Sequence, residues 1–265
     1  MRDILGQIGK WWDAGETFGL ATVVRTFHSA PREPGAALAV SAGGEVIGSV
    51  SGGCVEGAVY ELAQQVLQTG EPVLQRYGVS DDTALSVGLT CGGIIDIFVE
   101  PVSKKRYPQL GAVADAIAAG RPVAVATVIA GPGQTGARRL ISGDAGDGTL
   151  AAGGRLDEAV DDDARGMLAQ GPTAVRHYGE HGERRLDELS VFVQSFAPPP
   201  RMLVFGAIDF AAAVARAGKF LGYHVTVCDA RPVFATSSRF LSLSWRIFSS
   251  TVDFAISRYT LTTLV

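Results

Sequence analysis

Apolar residues at Ile4, Ile8, Trp11 and Trp12 recur at helical spacing and predict a helix over residues 4–14. The β-branched run Gly19–Phe27 follows and predicts a buried strand. Ala36–Val40 and Glu45–Val50 flank Ala42-Gly43-Gly44, a pattern that predicts a hairpin. Over Cys54–Leu67 the apolar residues Val55, Val59, Leu62 and Val66 share one face, so a helix is expected, with Gly52-Gly53 just before its N-terminus. Pro72–Tyr77 and Ile94–Val99 read as strands and Leu110–Ala119 as a helix. Val123–Ile129 and Arg138–Ser142 read as strands around the glycine-rich turn Gly131–Gly136. Asp157–Ala169 predicts an acidic helix, and Ala174–Tyr178 and Ser190–Val193 two further strands. No internal repeat is evident.

Pro198-Pro199-Pro200 is stiff and extended and cannot join a helix or a central strand, so a domain boundary is expected there. Beyond it, Met202–Phe205 reads as a strand, Gly206–Ala211 as a turn, Ala212–Leu221 as a helix and Val225–Cys228 as a strand. This is a β-α-β opening of dinucleotide-fold type. The expected fold class is therefore α/β: a mixed α/β N-terminal domain over residues 1–196 and a Rossmann-like domain over residues 201–265. From Ser237 the composition changes to seven Ser, four Thr and no Gly, which predicts an aberrant tail and a truncated second domain.

Composition narrows the function classes. The chain of 265 residues is 47% hydrophobic and 19% charged, enough apolar material for a packed core. A net charge of −4 with no basic stripe argues against a nucleic-acid partner. No run approaches the ~18 apolar residues of a membrane span. Three cysteines are too few for a disulfide scaffold, and with no signal-peptide pattern the expectation is a cytoplasmic protein.

Two of those cysteines sit beside glycine pairs. Gly48-Ser49-Val50-Ser51-Gly52-Gly53-Cys54-Val55-Glu56 leads into a helix, where free N–H groups and the dipole offer an anion site and favour a thiolate. Glu56 is placed either to accept a proton or to cap that helix. Thr90-Cys91-Gly92-Gly93 leads into a strand and offers a second thiol beside bare backbone. His28-Ser29-Ala30-Pro31-Arg32-Glu33-Pro34-Gly35 is a polar loop in which Arg32 is suited to a phosphate. Each element also has a plain structural reading: a tight turn with a small core cysteine, or a solvated loop. The histidines share no zinc-ligand spacing. At Gly206, Ile208 and Ala211 replace the later glycines of the dinucleotide fingerprint, so NAD(P) binding is doubtful, although Asp229 sits where a ribose would be read.

The combination of P-R-E-P-G-A, G-S-V-S-G-G-C-V-E and T-C-G-G with a downstream β-α-β unit resembles the XdhC/CoxI family, accessory factors for xanthine dehydrogenase and carbon monoxide dehydrogenase. The resemblance runs from about residue 8 to residue 236. It implies a maturation factor, or chaperone, that binds molybdenum cofactor (molybdopterin) transiently and assists its sulfuration and insertion into a molybdenum hydroxylase. The implied partners are that apoenzyme, a cysteine desulfurase and a second copy of the chain. By the same resemblance Gly52, Gly53, Cys54, Cys91, Gly92 and Gly93 match the family's motif residues, with Glu56 and Arg32 as neighbouring candidates. The rival classes are a nicotinamide-dependent oxidoreductase using the second domain and a thiol redox protein using Cys54 and Cys91.

Overall fold

The computed structural model describes residues 1–78, 92–150 and 154–231, with the backbone of Ser244–Ile247. The expectations for Cys91 and for most of the segment after Ser237 lie outside these residues. The chain divides into two compact units, Met1–Pro198 and Pro199–Val265.

The first unit opens with α1 (Leu5–Asp13), β1 (Phe18–Phe27), β2 (Ala37–Ser41), β3 (Val46–Gly48), α2 (Glu56–Thr69), β4 (Val73–Tyr77) and β5 (Ile94–Val102). Its strands form one antiparallel sheet in the order β3-β2-β1-β5-β4. The same series then recurs as α3 (Leu110–Ala118), β6 (Val123–Ala130), β7 (Arg138–Ser142), β8 (Ala145–Gly148), α4 (Arg155–Gln170), β9 (Ala174–Tyr178) and β10 (Leu189–Phe196). These strands are ordered β8-β7-β6-β10-β9. The unit is thus a structural duplication, contrary to the expectation of no repeat.

Backbone detail follows the duplication. Val23 donates its N–H to Ala36 O and accepts at its carbonyl from Gly35, just as Val128 does with Ala137 and Gly136. Gly48 and Gly148 both have positive φ, and at each an added Cβ would overlap the carbonyl oxygen across the hairpin, of Ala37 and Arg138 respectively. Any other residue is excluded there on both counts. The repeat is hard to see in sequence because equivalent positions share burial more than identity: Phe18 corresponds to Val123, Leu20 to Val125 and Val102 to Phe196, all buried.

Each sheet hides both of its faces. Val59, Ala63 and Val66 of α2 cover one face of the first sheet, against Ala21, Val23, Ile95 and Ile97. Val160, Ala164 and Met167 of α4 do the same for the second, against Ala126, Val128, Val191 and Val193. The remaining faces meet each other. Leu20, Ala39 and Val102 pack with Val125 and Phe196, while α1 and α3 contribute Ile8, Trp11, Leu110 and Val113 to the same layer. Nearby, Val24 and Phe98 pack with their counterparts Ile129 and Phe192. Double-sided burial explains why β1 is buried without a break from Phe18 to Val24 and shows no polar alternation.

An ion pair crosses this layer. Arg138 on β7 donates to Glu100 on β5, and both side chains are buried. The Arg138 guanidinium lies 4.0 Å from the centroid of the Tyr107 ring, in the segment joining the halves. Burial opposes the Arg138 charge, but Glu100 and Tyr107 outweigh it and hold its pKa above the usual guanidinium value.

The second unit contains β11 (Arg201–Phe205), α5 (Asp209–Phe220), β12 (His224–Asp229) and β13 (Ser244–Ile247), with parallel strands in the order β11-β12-β13. The helix begins three residues before the expected Ala212; Asp209 lies in its first turn, where a carboxylate favours the N-terminal dipole. Ser244–Ile247, in the segment expected to be aberrant, supplies the third strand of this sheet.

Removing one member of the Glu100–Arg138 pair leaves a buried charge without its partner. Glu100→Leu is expected to lower unfolding free energy by about 3 kcal/mol, and the double variant Glu100→Leu/Arg138→Met to recover most of that loss. Urea denaturation of both variants checks this.

Candidate functional site

The order of elements brings several candidate residues to one end of the first sheet. α2 starts at that end, β1 leaves there, and β4 returns there after the helix. Register confirms the convergence, with Phe27 opposite Ile94 and Tyr77 opposite Ile95. Cys54, half-buried just before α2, packs against the cluster that holds Val50, Val55, Tyr77 and Ile95. Ala30, from the polar loop after β1, packs on the same cluster. Gly92 and Gly93 enter β5 at this end, Gly92 exposed with φ +72 and Gly93 buried. Cys91 itself falls outside the described residues.

The glycine loop before α2 is closed around a carboxylate of its own. Glu56 accepts from the Ser49 and Ser51 hydroxyls and from the N–H groups of Val50, Ser51 and Gly53. Ser49 Oγ accepts from Gly52 N–H at 3.0 Å, and Ser51 Oγ accepts from Cys54 and Val55 N–H, each at 3.0 Å. Every backbone N–H from Val50 to Val55 therefore has an acceptor inside the loop. The nest expected to receive a ligand's phosphate holds Glu56 instead. Burial pushes the Glu56 carboxyl upward, but the bonds from Ser51 and Ser49 and from the backbone outweigh it and bring its pKa to about 2. The carboxylate closes the loop ahead of α2 and makes no cap bond to the helix itself; a carboxylate so held is a poor proton acceptor near neutrality.

The duplication separates what the fold needs from what it does not. In the second half Asp157 occupies the position of Glu56 and accepts from Leu150 N–H at 2.8 Å, as Glu56 accepts from Val50. The sequence Gly153-Gly154-Arg155-Leu156-Asp157 parallels Gly52-Gly53-Cys54-Val55-Glu56. The acid and the glycines recur, whereas the thiol is replaced by the exposed Arg155. The thiol is therefore the part of the motif that the second half does not share.

What remains open at the loop is an edge of bare backbone. Gly52 and Gly53 are exposed, with φ of +74 and +117, and an added Cβ would meet nothing within 4 Å at either. Arg32 is held elsewhere: its guanidinium pairs with Asp3 at 3.1 Å and makes no hydrogen bond or ion pair to the glycine loop among the described residues. With Glu33, Thr173 and Gln194 it lines a cavity of about 500 Å³ between the two halves of the first unit. His28 is the one described non-glycine residue with positive φ, +61, at the exit of β1. The sequence reading missed Ser49 and Ser51 as loop-closing groups. The available signal was the pair of serines ahead of an acid in the first helical turn. Among the described residues no group of three His, Cys, Asp or Glu side chains is placed to hold a metal ion, and no helix is long and apolar enough to cross a membrane.

At the Gly206 turn the acid expected to read a ribose is engaged. Asp229 accepts from Ala207 N–H at 2.7 Å and from the Arg231 side chain at 3.0 Å. Arg231, followed by the Ala207 bond, pulls the Asp229 carboxyl well below the usual carboxylate range. Ile208 stands 52% exposed at the start of α5, where the fingerprint would have its second glycine.

Comparison with known proteins adds the following. The family model described as "XdhC and CoxI family" matches residues 11–78 and 116–179, stretches that run over equivalent elements of the two halves. The "XdhC Rossmann domain" model matches residues 202–261, so the compositional shift at Ser237 does not mark a departure from that domain. A Bacillus subtilis protein, named as a probable subunit of xanthine dehydrogenase, is 28% identical over 225 residues, covering 83% of this chain and 62% of its own length. The uncharacterized Escherichia coli protein YqeB is 35% identical over 97 residues, 37% of this chain and 18% of its own. The chain thus spans less than two thirds of these relatives. A crystal structure of a xanthine dehydrogenase from Bacillus halodurans superposes with a TM-score of 0.63 at 22% identity, over 92% of this chain and 68% of that one, a likeness of fold.

The carboxyl of Glu56 is depressed in the folded state, so its stabilising contribution is full above the ordinary value of 4.5 and is lost as pH falls toward about 2. Between those limits the wild type is expected to lose more stability than Glu56→Gln. Urea midpoints measured across that pH range for both proteins check the difference.

Proposed function

The chain belongs to the XdhC and CoxI family, and from that premise we propose that it is a non-enzymatic accessory factor that binds molybdenum cofactor and assists its sulfuration and insertion into a molybdenum hydroxylase. One observation carries the reading on this chain's own residues. Cys54 lies beside an open glycine edge in the half that has it, while the aligned position of the other half carries Arg155. The cofactor supplies a soft molybdenum–sulfur centre, and a thiol is the matching soft donor. Gly52 and Gly53 leave the approach clear, and Cys91 with Gly92 and Gly93 is the second motif assigned to the same ligand. Arg32, tied to Asp3, is not part of this contact.

The proposed partners are the molybdenum hydroxylase apoenzyme, a cysteine desulfurase and a second copy of the chain, in the cytoplasm. Oxidoreductase chemistry in the second unit has less support, because Asp229 is engaged by Ala207 and Arg231 and Ile208 stands in place of the fingerprint's second glycine.

Two substitutions test the site. Cys54→Ser conserves volume and removes the soft donor, so affinity for molybdenum cofactor, measured by fluorescence titration, is expected to fall at least tenfold with thermal stability unchanged. Equal affinity rejects the role of Cys54. Gly53 and Gly133 share positive φ, +117 and +121, and open surroundings. Gly53→Ala and Gly133→Ala are therefore expected to cost similar stability, about 1 kcal/mol, with only Gly53→Ala weakening cofactor binding.

A further inference from the structure

We propose that the Cys54 loop meets the soft, metal-bearing end of a ligand and turns its phosphate end away, with Glu56 as the specificity-determining residue. This rests on the reading of Cys54 as the contact and specifies which end of the ligand meets it.

The inference comes from counting donors and charges. A phosphate bound at a glycine loop needs free N–H groups, and the six from Val50 to Val55 are already taken. The Ser49 and Ser51 hydroxyls donate to Glu56, so they are taken as well. A carboxylate that accepts from five donors carries its negative charge; a protonated one would point a hydrogen at one of them. Those donors are all neutral. Among the described residues no cation pairs with Glu56, whereas its counterpart Asp157 lies 3.6 Å from Arg139. The first loop therefore presents a thiol beside a carboxylate with no cationic side-chain partner among the described residues, and beside bare glycine backbone. That surface repels phosphate, molybdate and carboxylates and suits a thiophilic metal centre. The phosphate end of a pterin cofactor is then directed away from Cys54.

The test needs no cofactor. Iodoacetamide and iodoacetate alkylate a thiolate by the same displacement of iodide and differ in charge, so the ratio of their rates cancels thiolate fraction and reports local potential. The rates are followed on the peptide containing Cys54 by mass spectrometry of the full chain. In low salt the ratio of iodoacetamide to iodoacetate rates is expected to exceed that of a free cysteine peptide by about threefold, the order expected of one nearby charge in a water-like dielectric. Adding ~1 M KCl is expected to bring it down to the peptide value, a control that needs no mutation. Glu56→Gln is expected to bring it down without salt, and ~10 mM inorganic phosphate is expected to leave the iodoacetamide rate of the wild type unchanged. A wild-type ratio equal to the peptide's in low salt, or protection of Cys54 by phosphate, overturns the proposal. If the ratio behaves as expected but molybdenum cofactor does not bind, the cofactor reading fails and the charge selectivity stands.

Discussion

Neither half of the first unit can hide its sheet alone. Each sheet has an apolar face toward its own helix, α2 or α4, and a second apolar face that only the other half covers. Burying Leu20, Val102, Val125 and Phe196 against one another requires both halves to be present and in register. The Glu100–Arg138 pair adds direction to that layer. Hydrophobic contact is tolerant of sliding, whereas a buried ion pair is satisfied in one alignment only. The end of the sheet where Cys54 lies inherits its geometry from this arrangement, because β1 and β5 are held between α2 and the opposite sheet.

The glycine loop shows how a motif can look open in sequence and be closed in space. Glycine pairs ahead of a helix suggest a cradle for an external anion. Here the chain supplies the anion from two residues beyond the thiol, and the serines complete the closure. In the second half Asp157 likewise accepts from the backbone ahead of its helix, at Leu150, and brings its charge to Arg139. The carboxylate therefore belongs to the architecture of the turn, and the thiol is what distinguishes one copy from the other.

Much of the secondary structure was legible because its physical causes are local. The Val55, Val59 and Val66 stripe gave α2, and the β-branched run at Gly19–Phe27 gave a buried strand. The division near the three prolines follows from their stiffness. The duplication was not legible, because it rests on equivalent burial at positions such as Leu20 and Val125, and its shared glycines are few among 33. The pairing of Arg32 with Asp3 was not legible because Asp3 lies far off in sequence and is brought near by the docking of the N-terminal segment. At Gly206 the substitution by Ile208 was visible, but the Asp229–Ala207 bond is a tertiary contact that no local pattern encodes.

The order of strands in each sheet carries a cost in time. β1 pairs with β5, and β6 with β10, so the central ladder of each half joins the first strand of that half to its last. Each ladder brings together strands separated by nearly the whole half, and high contact order of this kind slows folding. Until the halves dock, the faces bearing Phe98 and Phe192 stand open to water. During synthesis the first half emerges with one such face uncovered and waits for the second to be translated. The interval in which this protein is most exposed to aggregation is therefore set by the ribosome's passage through the second repeat.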